Sequence, residues 1–136
     1  MNLQEAVSVL RIRLGDENKT KFTDDTFLEL ELKDAMHKHN REYTIETVPE
    51  DEEYLIVKLA QISCLYTLAS REAKNYSISV DGISIAKSER VKNYLSLANS
   101  LEKEYDSIIN DPDYQTIEVQ NMKRYSPMVN RLVGGD

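Results

Sequence analysis

The sequence has a single cysteine, no tryptophan, and only four glycines and three prolines among its 136 residues. One cysteine excludes an internal disulfide and a cysteine-based metal site, so we expect synthesis in a reducing, cytosolic compartment. The scarcity of glycine and proline predicts long, regular elements. No apolar run approaches the ~20 residues of a transmembrane helix, and the first residues lack the pattern of a signal peptide, so no membrane partner is expected.

Positive charge is also scarce, because 17 lysines and arginines face 24 aspartates and glutamates, which gives a net charge of −7. An acidic chain repels the phosphate backbone, so we predict no specific nucleic-acid binding. The charge is unevenly distributed, since Glu42–Glu53 contains six acids and no base. Four of these acids follow Pro49 directly, where they complement the dipole of a helix that begins there.

Recognisable catalytic motifs are missing as well. The chain has no glycine-rich dinucleotide loop, P-loop, nucleophile elbow or zinc-protease motif. His37 and His39 are two residues apart and would leave a helix in different directions, so we expect them on the surface rather than sharing a metal. Cys64 lies in an apolar stretch and is expected to act as a small hydrophobic residue. The sequence therefore predicts no enzymatic step, no metal and no cofactor.

Apolar residues at helical spacing indicate four helices. Gly15 is placed to end the first helix in a left-handed conformation. Thr23 is a candidate N-cap of the second, and Phe22 and Phe27 flank it as a hydrophobic staple. The third is apolar on nearly all sides, which is typical of a buried helix, whereas the fourth is amphipathic. The predicted ranges are 2–14, 23–39, 49–69 with its apolar residues at 55–69, and 88–109.

The segment between the third and fourth helices reads Tyr-Ser-Ile-Ser-Val-Asp-Gly-Ile-Ser-Ile-Ala-Lys-Ser. An Asp-Gly pair between alternating apolar residues predicts a β-hairpin at 76–87. Such a hairpin would place four apolar side chains on one face, and a lone hairpin is marginally stable in water. That face therefore needs cover from its own helices or from a neighbouring chain. The candidate oligomer interface consists of Ile78, Val80, Asp81, Gly82, Ile83 and Ile85.

Residues 111–136 contain scattered apolar residues without a helical period and are too apolar for a solvated linker. Two interpretations stay open: an arm that orders against a partner, or a strap over its own domain. The candidate partner-binding residues are Tyr114, Ile117, Val119, Met122, Tyr125, Met128 and Leu132. The predicted fold is therefore mainly α: a bundle of about four helices in residues 1–110, with a β-hairpin inserted before the last helix, and an extended C-terminal arm in residues 111–136.

The order of these elements resembles the head–tail connector (head-completion adaptor) proteins of tailed bacteriophages. The resemblance covers about residues 1–110, including a buried third helix that ends Leu-Ala-Ser-Arg-Glu-Ala. Its most telling part is Ser77–Ser88 followed by Val91–Tyr105. In that family a ring of identical subunits, typically twelve, lies beneath the portal, extends the DNA channel and presents a platform for the tail or its stopper.

This resemblance implies a structural protein of the virion neck, made in the host cytoplasm. The implied partners are further copies of the chain in a dodecameric ring, the portal protein, and a tail or stopper protein. Duplex DNA would pass through the ring without specific binding. The alternative is a monomeric, acidic helical module that regulates or holds one different protein partner. Stoichiometry separates the two, because a ring needs many identical copies.

Overall fold

The computed structural model describes residues 1–76 and 82–114, except for the side chains of 75, 76 and 82–88. Within these residues the elements are α1 (Leu3–Leu14), α2 (Asp25–His39), a 3₁₀ turn (Glu50–Glu52), α3 (Glu53–Tyr76) and α4 (Gly82–Ile109). Residues 112–114 are helical as well. The chain divides into two compact units, Met1–Glu102 and Lys103–Asp136, with the boundary inside α4.

The two ends of α1 follow from local chemistry. The side-chain oxygen of Asn2 accepts a hydrogen bond of 3.1 Å from the Glu5 backbone N–H, which satisfies one of the unpaired donors of the first turn. Gly15 stops the helix with φ 67°, a left-handed conformation that costs glycine little. The predicted first helix and its glycine end are confirmed.

The start of α2 differs from the prediction by one residue. Asp24, not Thr23, is the N-cap, and its carboxylate accepts a 2.9 Å hydrogen bond from the Thr26 N–H. Both residue types are favoured at this position, so the pattern alone does not separate neighbours. The rings of Phe22 and Phe27 nevertheless stack with 5.3 Å between centroids and 9° between planes. The predicted contact exists across the start of the helix.

Helix α3 is the central element of the core, as predicted. It packs against both α1 and α2, and Leu55, Ile56, Ala60 and Cys64 are fully buried. Leu10 of α1 and Leu28, Leu32 and Met36 of α2 are buried as well. Helix α3 is apolar on nearly all sides, and this surface is buried only when other helices cover several sides of it. This explains its central position.

The β-hairpin predicted at 76–87 is wrong. Tyr76 is the last residue of α3, and Gly82, predicted as a turn residue, is the first residue of α4. Ile83 and Ile85 therefore belong to a helix, while Ile78, Val80 and Asp81 lie outside the described residues. Ile83 precedes Tyr94 by three helical turns and Leu101 by five, so the same residues also suit a helix. A helix forms its backbone hydrogen bonds locally, whereas a two-stranded hairpin has little to stabilise it.

The connection between α1 and α2 is organised by a buried ion pair. The Arg11 guanidinium lies 3.1 Å from a carboxylate oxygen of Asp16, and both side chains are almost fully buried. Arg11 also donates to the Phe22 carbonyl at 2.7 Å and to the Asp25 carboxylate at 2.6 Å. One guanidinium thus joins the end of α1, the loop and the first turn of α2, a task suited to its rigid fork of donors.

Asp16 is the acceptor centre of the same loop. Its two carboxylate oxygens accept hydrogen bonds from the backbone N–H groups of Thr20, Lys21 and Phe22 at 2.8–2.9 Å. Burial disfavours the charged carboxylate, but the backbone donors and the Thr20 hydroxyl outweigh it, so the pKa of Asp16 is lowered from its ordinary 3.8. The loop conformation therefore depends on an ionised Asp16.

A second buried polar cluster joins His39, Tyr43 and Glu52, and it shows that the predicted surface position of His39 is wrong. His39 was expected on the surface, yet only 3% of its side chain is exposed, and its Nε2 lies 3.0 Å from Glu52. Glu52 also accepts a 2.6 Å hydrogen bond from the Tyr43 hydroxyl. Glu52 is therefore buried and bound to its two partners. The three residues link the 40–49 connection to the end of α2. His37 is exposed, as predicted.

We predict that Asp16→Asn lowers the free energy of unfolding by about 1.5–3 kcal/mol at neutral pH, because it removes the buried one of the two carboxylates that pair with Arg11 and weakens the hydrogen bonds from the Thr20, Lys21 and Phe22 N–H groups. The folded pKa of Asp16 lies below the unfolded one, so its contribution is complete above the unfolded value and is lost as the pH falls through the folded value. Urea unfolding from pH 7 to pH 3 should show the gap between wild type and variant closing in acid.

The matched control is Asp34→Asn, since Asp34 is exposed on α2 and such changes stay within about 0.5 kcal/mol. Equal stability of Asp16→Asn and Asp34→Asn at neutral pH would contradict the role assigned to the buried pair.

Candidate functional site

A cleft of about 420 Å³ opens between α3, α4 and the loop that joins α1 to α2. The described residues that line it all belong to the first unit, Met1–Glu102. The lining residues are Thr20, Lys21, Leu68, Arg71, Glu72, Arg90 and Tyr94. Three of them are cations and one is an anion, so the cleft is positively charged although the chain as a whole is acidic. We call it the basic cleft.

Lys21 is placed on the wall of the cleft by the buried Asp16. The Lys21 backbone N–H donates to an Asp16 carboxylate oxygen at 2.8 Å, which fixes the main chain of the residue. Its ammonium lies 5.8 Å from the centroid of the Tyr94 ring on α4, within the range of a cation–π contact. The positive charge is therefore held by an aromatic face rather than neutralised by an acid.

Arg71 is held in a similar way on α3. Its guanidinium donates to the Lys21 carbonyl at 2.7 Å and lies 4.8 Å from the centroid of Phe22 and 5.9 Å from that of Phe27. These contacts fix the direction of a planar cation without removing its charge. Among the described residues, neither Arg71 nor Lys21 forms an ion pair with a carboxylate.

The third cation of the cleft, Arg90 on α4, is the most weakly held. Its guanidinium lies 3.8 Å from Glu72, and 61% of its side chain is exposed. An exposed pair at this distance contributes about 0–1 kcal/mol, so Glu72 offsets little of the positive charge. The cleft can therefore attract an anionic group.

The α4 wall meets α3 through polar contacts of Tyr66 as well as through the Glu72–Arg90 pair. Ala98 is fully buried, and the Tyr66 hydroxyl donates to Glu102 at 2.9 Å and lies 3.2 Å from the Asn99 side-chain oxygen. The hydrogen bond to the Glu102 carboxylate, together with its negative charge, raises the pKa of Tyr66. These hydrogen bonds join α3 and α4 within the first unit.

The residues predicted to form interfaces lie elsewhere. Gly82, Ile83 and Ile85 are in the first two turns of α4, and their side chains lie outside the described part of the structure. Tyr114 is half-buried in the helical residues 112–114. The remaining predicted residues, Ile78, Val80, Asp81, Ile117, Val119, Met122, Tyr125, Met128 and Leu132, lie outside the described part of the chain.

Sequence reasoning missed the cleft because its cations are far apart in the chain. Lys21, Arg71 and Arg90 are brought together by the packing of α4 against α3 and by the Asp16 loop, and no local motif marks them. One signal was available for the loop: Arg11 occupies a position on the apolar face of α1, next to Val7 and Leu10. A charged residue there indicates a buried partner.

Comparison with known proteins gives no family for this fold: the chain matches no protein-family model, and no curated protein or solved structure matches it. Within residues 1–76 and 82–114 no group of three or more metal-ligating side chains is found. In the same part of the chain, no helix has both the length and the apolar character needed to cross a bilayer.

Cys64 is the one thiol of the chain, and its surroundings make it a poor nucleophile. Burial, with a smaller effect from the Glu31 carboxylate, raises the pKa of Cys64 to about 12. The thiolate is the reactive form, so at neutral pH the folded protein presents a protonated, inaccessible thiol. This agrees with the expectation that Cys64 fills space in the core.

We predict that iodoacetamide modifies Cys64 only when the protein opens. At pH 8 without denaturant the alkylation rate, followed by mass spectrometry, should be at least about a hundredfold below that of the urea-unfolded chain, because both burial and the raised pKa suppress the thiolate. Fast modification of the native protein would contradict the burial of this residue. The urea-unfolded chain in the same buffer is the control for reagent activity.

Proposed function

We propose that the protein is a structural, non-enzymatic adaptor of a tailed bacteriophage, which assembles with copies of itself into a ring that joins the head to the tail. The observation that carries the proposal is the basic cleft, in which aromatic rings and main-chain groups orient Lys21 and Arg71, and the exposed Arg90 adds a third positive charge near Glu72. Such a site is suited to docking an acidic surface.

The chemistry of the cleft favours binding over catalysis. General acid–base or nucleophilic catalysis needs a group that gives or takes a proton, or a nucleophile with an adjacent base. Arginine stays charged throughout the physiological pH range, the one carboxylate among the described lining residues, Glu72, faces Arg90, and none of these residues is a histidine. What the lining offers is fixed positive charge and an aromatic face.

The architecture supports the same proposal. A short first helix, a second helix begun by stacked phenylalanines, a buried third helix and a long fourth helix follow the order of helices that the sequence resemblance implies, although α4 begins at Gly82, where the resemblance implies a hairpin. The net charge of −7 fits a channel through which duplex DNA slides without sticking, because phosphate affinity comes from lysine and arginine.

In this proposal the adaptor works in the virion neck, after synthesis in the host cytoplasm. The first unit makes the contacts between subunits of a dodecameric ring. The C-terminal residues Tyr114, Ile117, Val119, Met122, Tyr125, Met128 and Leu132 are assigned to the portal protein or to a tail or stopper protein. The alternative, a monomeric acidic module that holds one different protein, would use the same cleft with a single partner.

We predict that native mass spectrometry over a series of protein concentrations will show a closed species near twelve times the subunit mass of 15.7 kDa. The physical reason is that a repeated contact between two different patches closes into a ring when its rotation allows. A monomer at every concentration, up to about millimolar, would contradict self-assembly and favour the alternative module. A ladder of open oligomers without a closed species would also contradict a ring.

We further predict that deletion of residues 115–136 leaves the number of subunits in the ring unchanged, because these residues are assigned to a different partner. The same mass measurement, with circular dichroism to verify the helical content, decides the point. Conversion of the ring to monomers would show that this segment makes the contact between subunits. Loss of helical content would instead support the strap interpretation.

A further inference from the structure

We infer that the basic cleft binds the acidic end of α3 from a second copy of this chain. The acidic end is defined as Glu42–Glu53, the stretch that leads into α3 and ends at its first residue. This inference rests on the proposed self-assembly and identifies its contact. It commits to a second copy because the two complementary surfaces are present on one subunit.

The acidic end presents carboxylates that have no ion-pair partner among the described residues. Glu46, Glu50 and Asp51 are exposed, and none of them forms a salt bridge there. Glu52 is not among the available groups, because it is buried and bound to Tyr43 and His39. Arg41 directly precedes this end but leaves an excess of negative charge.

The acidic end is also held in shape before it meets a partner. The Thr44 N–H donates to the Thr47 hydroxyl at 2.7 Å, and the Thr47 N–H donates to the Thr44 carbonyl at 3.0 Å, which closes a turn around Glu46. The Tyr43 hydroxyl anchors the preceding residues to Glu52. Little conformational freedom has to be lost when such a surface docks, and this favours binding.

The two surfaces lie at opposite ends of α3 within the first unit. Glu53 begins the helix and Arg71 lies 18 residues later, which corresponds to about 27 Å along the axis. This separation exceeds the screening length of about 8 Å at physiological salt, so the two charged ends act independently. One subunit therefore offers its acidic end to one neighbour and its cleft to another, the arrangement of a head-to-tail contact.

The test uses two charge-reversal variants. The cleft variant carries Lys21→Glu and Arg90→Glu, which leaves Arg71 and its ring contacts in place. The end variant carries Glu46→Lys and Glu50→Lys. Each variant alone should self-associate at least about tenfold more weakly than the wild type, because like charges then face each other in every contact.

An equimolar mixture of the two variants should restore assembly. The unchanged acidic end of the cleft variant meets the unchanged cleft of the end variant, and the two reversed surfaces are complementary to each other. Native mass spectrometry should then show mixed oligomers in which the two variants alternate. Wild-type assembly should also weaken as salt is raised from 0.05 M to 1 M, as expected of charged contacts.

Two matched controls carry the same changes in charge on exposed residues that belong to neither surface. Lys33→Glu with Lys103→Glu controls for the cleft variant, and Asp34→Lys with Asp106→Lys controls for the end variant. Both should assemble like the wild type, and circular dichroism verifies the fold of all four. Loss of assembly in the controls would show that net charge, not the proposed contact, is responsible.

The outcomes separate this inference from the proposed function. If the wild type forms rings but the cleft variant assembles normally, the docking contact is overturned and the proposed ring still stands. The same holds if the mixture of variants fails to restore assembly. If the wild type is a dimer that each variant alone weakens and the equimolar mixture restores, the docking contact is supported and the ring is overturned. A wild type that stays monomeric would overturn both.

Discussion

The ion pair between Arg11 and Asp16 is the constraint on which most of the first unit depends. A buried charge is costly unless it is paired and hydrogen-bonded, and here the guanidinium and the carboxylate are both surrounded by partners. Among the described residues no buried side-chain nitrogen or oxygen lacks a hydrogen bond. The consequences extend outward, because Asp16 fixes the Thr20–Phe22 main chain, which places Lys21 on the cleft and Phe22 beneath Arg71. A core requirement thus determines the geometry of the surface that we assign to docking.

The elements that the sequence predicts well are those specified by neighbouring residues. The glycine end of α1, the stacked phenylalanines at the start of α2 and the all-round apolar surface of α3 are local signals, and each is found in the structure. The ends of helices are predicted less well. Helix α3 continues to Tyr76 and α4 starts at Gly82, so both extend beyond the helically spaced apolar residues from which they are predicted. Helix propagation adds one hydrogen bond for each further residue, so a helix readily extends past its apolar stripe.

The features that sequence analysis missed depend on contacts between distant parts of the chain. An Asp-Gly pair between alternating apolar and polar residues favours a hairpin only where a sheet or a core supports the two strands. Here α4 begins at that glycine instead. His39 is buried because Glu52, thirteen residues later, returns to meet it. Lys21 and Arg71 are fifty residues apart and meet through the Lys21 carbonyl. Composition describes the sum of the charges, whereas a site depends on where the fold brings them together.

That distinction bears directly on assembly. Subunits that each carry a net charge of −7 repel one another at long range, so an assembly of identical acidic chains needs an attraction that acts at contact distance. Salt screens the long-range repulsion beyond about 8 Å, while oppositely charged groups in a partly desolvated cleft interact more strongly than in water. A positively charged cleft that receives an acidic end would therefore prevail over the net charge at every interface. The same arrangement would use up acidic groups at the contacts and leave the remaining negative surface to face the solvent or the DNA. Local complementarity, not overall charge, is then the property that would allow an acidic subunit to form the proposed ring.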